Sequence, residues 1–118
     1  MNRYLVEAEY LDPGPLADPE QQTRISNERV LPGQQALADW EAEGRIVAGG
    51  VVAGVRRVVF IIEAESNDQL GDLIGRLPIW GINRWKVEPL QTFAARAAQT
   101  ARHNAAAEAA ARGEGHGA

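Results

Sequence analysis

The stretch GRIVAGGVVAGVRRVVFIIEA, residues 44–64, decides the fold. Residues 45–52 and 55–64 are dense in Val and Ile, β-branched side chains that suit a pleated surface better than a helix. The pattern predicts two strands folded back on each other. Between them lie Gly49, Gly50, Ala53 and Gly54, where glycine tolerates positive φ and so allows a turn or a bulge. The run Val58-Val59-Phe60-Ile61-Ile62 is apolar without alternation, which predicts a strand covered on both faces.

Working outward, residues 3–10 alternate, with Tyr4, Val6, Ala8 and Tyr10 facing one way and Arg3, Leu5, Glu7 and Glu9 the other. Asp12-Pro13-Gly14-Pro15 ends this first strand in a loop. Asp18 then reads as an N-cap, with Pro19 at the first helical position and Glu20 in the first turn. The helix is expected to run to about Val30 and to be broken or kinked by Leu31-Pro32-Gly33. Residues 34–43 resume a helical pattern that turns Ala36, Leu37 and Trp40 toward the sheet, followed by Ile46, with Gly44 as the stop.

Beyond the hairpin, Ser66-Asn67-Asp68-Gln69 has the spacing of a capping box. Leu70, Leu73, Ile74 and Leu77 recur at helical spacing until Pro78. Residues 82–90 form a last strand, with Trp85 and Val87 on one face and Arg84, Lys86 and Glu88 on the other. The order is β-α-β-β-α-β. It predicts an α+β, ferredoxin-like domain: a four-stranded antiparallel sheet in the order 4-1-3-2, two helices on one face and another subunit on the opposite face.

Residues 1–92 are read as this domain, and residues 93–118 as an Ala-rich C-terminal helix followed by a disordered glycine-rich tail from Gly113. Such a helix has little apolar surface of its own. It is expected to reach a neighbouring subunit, with Phe93 as the anchor.

The 118 residues are 45% hydrophobic and suit one domain with a real core. There is no cysteine, which removes disulfides, thiolate nucleophiles and cysteine-ligated metals. The apolar runs are too short to span a bilayer and the first residues lead into a strand pattern, so a cytoplasmic protein with no membrane partner is expected. The net charge is −4 and the basic residues are scattered, giving no nucleic-acid footprint. His103 and His116 both lie in the tail, leaving the core no histidine for a metal site or a triad. Gly49-Gly50 and Gly54 open no helix and lack a phosphate-binding fingerprint.

Two constellations carry candidate chemistry. Glu7, Glu9 and Glu63 are expected on the sheet face away from the helices, beside Arg57, Arg84 and Lys86. A desolvated carboxylate there would serve as a general base on a carbon acid; a cross-strand ion-pair network at a subunit interface is the competing reading. Tyr4, Trp40, Trp80 and Trp85 would wall a substrate-binding pocket between sheet and helices, near the turn Leu77-Pro78-Ile79-Trp80-Gly81; ordinary core packing is the alternative.

Several phrases occur together: Trp40-Glu41-Ala42-Glu43-Gly44-Arg45, Gly49-Gly50, Glu63-Ala64-Glu65-Ser66, Leu77-Pro78-Ile79-Trp80, and Trp85-Lys86-Val87-Glu88-Pro89-Leu90. With these the chain resembles the muconolactone isomerase family and its relatives among the dimeric α+β barrels, over roughly residues 4–93. The resemblance implies a ferredoxin-like domain that forms homo-oligomers, and no metal or organic cofactor. It also implies a cofactor-independent isomerase or cyclase that shifts a proton in a small oxygenated cyclic or polyketide-like metabolite. In that reading Glu7, Glu9 or Glu63 accepts the proton and Arg57 orients an enolate. A cofactor-free oxygenase of the dimeric α+β barrel type and a non-catalytic binding or assembly protein are the alternatives.

Overall fold

A four-stranded antiparallel sheet is formed by β1 (Asn2–Tyr10), β2 (Ile46–Val51), β3 (Arg57–Ala64) and β4 (Asn83–Leu90), in the order β2-β3-β1-β4. This is the order expected from the sequence. The computed structural model describes residues 1–11 and 18–117, with side chains as far as residue 113; the expected loop at Asp12 to Pro15 lies outside the described residues.

Register sorts the side chains. Tyr4, Val6 and Ala8 of β1 stand opposite Ile62, Phe60 and Val58 of β3, and all six belong to the face covered by helices. Ile62 and Val6 are fully buried, each contributing roughly 1.5–3 kcal/mol of apolar burial. The other face carries Arg3, Leu5, Glu7 and Glu9 against Glu63, Ile61, Val59 and Arg57. There Leu5, Val59 and Ile61 are only half-buried, so within one chain the expected second cover of β3 is not supplied.

The hairpin turns at Val52 to Val55, where the Val55 N–H donates to the Val52 carbonyl at 3.3 Å and Gly54 takes φ +83°. That φ at the third turn position is the type II pattern, which favours glycine. The pairing of β2 with β3 slips between Ile46 and Ala48, and Gly49 just beyond has φ +127°. A bulged register of this kind bends the edge strand.

Of the break or kink expected in the first helical region, the break does not occur. Helix α1 (Pro19–Ile25) passes through a π-helical turn, Ser26–Val30, directly into α2 (Leu31–Ala42). The Leu31 N–H reaches the Ser26 carbonyl, five residues back, instead of stopping the helix. Pro32 has no N–H to give and its ring crowds the preceding turn; a widened turn relieves that crowding without ending the helix. Asp18 caps α1 as expected, its Oδ1 accepting from Gln21 N–H at 2.7 Å.

Helix α3 (Asn67–Gly75) buries Leu70 and Ile74. Ser66 Oγ accepts from Gln69 N–H at 3.1 Å, while Gln69 Oε1 accepts from the N–H of Glu65 at 2.6 Å, one residue outside the expected box. A short 3₁₀ turn, Trp80–Ile82, leads into β4. Helix α4 (Phe93–Gly117) is capped by Thr92 Oγ1, which accepts from Ala95 N–H at 3.1 Å. It continues five residues past Arg112, where the sequence reading ended it. Phe93 is 95% exposed, and of residues 93–113 only Gln99 is half-buried, so α4 stands away from the sheet and its helices.

Candidate functional site

Near the end of the sheet where β1 leaves it, three polar side chains line up across three strands. Tyr10 is in register with Asn83 of β4, and its N–H donates to the Arg56 carbonyl at 2.9 Å. With a two-residue period, Tyr10 shares the helix-covered face with Ala8, as Asn83 does with Trp85 and Arg56 with Val58. The Arg56 guanidinium lies over the Tyr10 ring, 5.3 Å from its centroid. Asn83 Nδ2 donates to the Ile79 carbonyl at 2.9 Å.

A cleft of about 320 Å³ opens over this row. Ala8, Tyr10 and Val58 form its floor. Gln22 of α1, Ser26 and Val30 of the π turn, and Gln34 and Leu37 of α2 form the roof. Val51, Val55, Arg56 and Arg57 close the hairpin end; Ile79 and Asn83 close the other. A helix that broke at Leu31-Pro32-Gly33 would not carry Ser26 and Val30 over the sheet, and π turns recur at functional sites for this reason of re-aimed side chains.

The lining is apolar with amides, a hydroxyl, a phenol and two arginine residues, Arg56 and Arg57. Among the described residues no carboxylate or imidazole is part of it. Among the described residues Arg56 and Arg57 make no ion pair, and no three of Asp, Glu, His and Cys gather as metal ligands. A shallower groove of about 180 Å³ continues from the cleft between α2 and β2, toward Gly49 and Phe60.

The side chains singled out from the sequence fall in three places. Glu7, Glu9 and Glu63 do share the open sheet face: Glu9 is in register with Arg57 and Arg84, Glu7 with Lys86, and Glu63 pairs with Arg3 at 3.1 Å. Lys86 pairs instead with Glu88, at 3.2 Å. Exposed pairs of this kind are worth about 0–1 kcal/mol. Tyr4 is in the core at 3% exposure, its hydroxyl donating to Asn67 Oδ1 at 2.5 Å. Trp40 and Trp85 are half-buried against that core, and Trp80, 49% exposed, tilts against Trp85 at 5.5 Å between ring centroids. Trp85 Nε1 donates to the Trp80 carbonyl at 2.9 Å.

None of these four aromatics lines the cleft, and of the four candidate catalytic residues only Arg57 does. Sequence reasoning missed Tyr10, Arg56 and Asn83. The alternation of β1 pointed Tyr10 toward the helices, but nothing local tells that three strands end together beneath them.

The sequence matches the profile of the muconolactone delta-isomerase family over residues 4–96. The chain belongs to that family. Among solved structures it is similar to a muconolactone isomerase, at 18% identity and a TM-score of 0.60, covering 76% of this chain and 88% of that one. It is also similar to 5-chloro-2-hydroxyhydroquinone dehydrochlorinase from Burkholderia phenoliruptrix AC1100, solved with 2,5-dihydroxybenzoquinone. That likeness has 23% identity and a TM-score of 0.52, over 75% of this chain and 93% of the other. At such identities the likeness is one of fold. No curated protein matches the sequence. Residues 97–117 of α4 lie beyond the family match, and no helix among the described residues is long and apolar enough to cross a membrane.

Proposed function

We propose that this member of the muconolactone delta-isomerase family is a cofactor-independent isomerase or cyclase that moves a proton on a small oxygenated ring or polyketide-like compound held in the cleft. The observation that carries the reading is the roofed cleft of about 320 Å³ with the Tyr10 phenol on its floor. Its volume is at the small end of the roughly 300–1,000 Å³ usual for such sites, which suits one substituted ring.

Shifting a double bond next to a carbonyl removes a proton from carbon, places charge on oxygen, and returns a proton at another carbon. No electrons are exchanged with a second substrate. Tyr10 carries a phenol that both donates and accepts on the cleft floor and is the proposed proton carrier, and the amides of Gln34 and Asn83 supply donors for a developing enolate oxygen. The carboxylates of Glu7, Glu9 and Glu63 remain proposed acceptors only for a site completed on the open sheet face by a second copy, with Arg57 at its edge.

The test is incubation in deuterated water with muconolactone and with other small lactones and quinones, following carbon-bound deuterium and oxygen consumption together. Exchange without oxygen uptake supports proton transfer. Tyr10→Phe should lower the exchange rate about 100-fold or more while leaving ligand affinity within a few-fold. Loss of exchange in Glu7→Gln or Glu9→Gln with Tyr10→Phe still active would move the chemistry to the open face. No binding and no exchange with any of these compounds would overturn the reading.

A further inference from the structure

We propose that Arg56 makes the cleft selective for ligands that carry an oxyanion, a carboxylate or an ionised ring hydroxyl, over neutral compounds of the same shape. The inference rests on the reading of the cleft as the ligand site.

Three observations support it. First, the chain has a net charge of −4, yet among the described residues the cleft lining includes Arg56 and Arg57 and no Asp or Glu. A concave site of one sign with low-dielectric walls concentrates the opposite charge. Second, Arg56 is placed. Cross-strand pairing sets it beside Tyr10 on the helix-covered face, and its guanidinium rests over the phenol ring at 5.3 Å, an attraction that orients the planar fork before any ligand arrives. Third, Arg56 is uncommitted: among the described residues it has no acidic partner to surrender when an anion binds. Its neighbour Arg57 is also among the lining residues, but β3 alternation turns its side chain to the opposite face, in register with Glu9. The planar donor set of arginine binds carboxylates in two parallel hydrogen bonds. A ring hydroxylate accepts one or two from the same fork.

Titration calorimetry with 4-hydroxybenzoate and its neutral analogue 4-hydroxybenzamide tests the carboxylate arm. Binding of 4-nitrophenol on either side of its own ionisation tests the ring-oxyanion arm. In the wild-type protein at low salt the anionic form of at least one pair should bind about tenfold or more tightly than the neutral form. Arg56→Gln should abolish that ratio without changing affinity for the neutral form; Arg56→Lys should keep part of it. Arg84→Gln, on the open face, should leave it intact.

If anionic and neutral probes bind equally, the selectivity is wrong while the cleft remains a ligand site. If the preference survives Arg56→Gln and disappears in Arg57→Gln, the assignment to Arg56 is overturned. If no probe binds at all, the reading of the cleft falls and the inference with it.

Discussion

Consider Gly49 and Gly50, adjacent residues on the same edge strand. Gly49 has φ +127°, and a Cβ placed there would fall on the Val59 carbonyl oxygen and against Phe60 Cα at 2.5 Å, both backbone atoms of the neighbouring strand. Gly50 has open space around its missing Cβ. Gly49→Ala should therefore destabilise the protein by at least about 1–3 kcal/mol, through backbone strain and a lost ladder, while Gly50→Ala should be near neutral. Paired denaturant melts measure the difference, and equal midpoints would show that the bulge is not strained. Glycine content predicted that the chain turns or bulges somewhere in this region, but not which residue does which, because the answer depends on the slip in pairing between β2 and β3. The same limit separated Arg57, singled out from the sequence, from Arg56. One step of strand parity decides which of two adjacent arginines looks into the cleft.

At the level of elements, most of the architecture is legible because local signals agree with each other. Asp18 with Pro19, Ser66 with Gln69, and the apolar run of β3 each point to one outcome. The junction at Leu31-Pro32-Gly33 is where they conflict: proline and glycine read as a break or a kink, whereas packing keeps the helix continuous. Gly33 is buried there, and an added Cβ would stand 2.5 Å from Ile79 Cγ2, so α2 sits closer to the chain around Ile79 than any larger residue permits. That close seating explains why the helix does not swing away at the proline. Replacing Pro32 by Ala restores an N–H and removes the ring clash that the π turn accommodates. We expect Pro32→Ala to leave thermal stability equal or slightly raised, while ligand affinity in the cleft falls several-fold as Ser26 and Val30 rotate away from it. Affinity unchanged alongside unchanged stability would show that the π turn has another cause.

For the whole molecule, the open sheet face has no cover among the described residues. Its centre holds Leu5, Val59 and Ile61, and its ends hold the charged rows of Arg3 with Glu63 and of Glu9 with Arg57 and Arg84. We propose that a second copy covers it, since an apolar centre with a charged rim of both signs is complementary to itself under two-fold symmetry. Ile61→Glu should then give a folded monomer, with unchanged far-UV dichroism and half or less of the wild-type mass by light scattering. An identical mass in the two proteins would place any association elsewhere. Fold class was readable from the chain because strand order and burial follow from patterns within each segment. The cleft was not, because it is built from ends: the last residue of one strand, the residue before another, and a turn of helix above them.

The 25 residues of α4 have a hydrodynamic consequence. At 1.5 Å per residue the helix is about 37 Å long, and the chain as a whole extends 78 Å by 33 Å by 26 Å with a radius of gyration of 21.5 Å, against about 13–14 Å for a compact chain of this length. Such an arm raises frictional drag far more than mass. A single copy would leave a sizing column early enough to be taken for a dimer, and it would tumble anisotropically, with the slowest reorientation for amides whose N–H bonds lie along the arm.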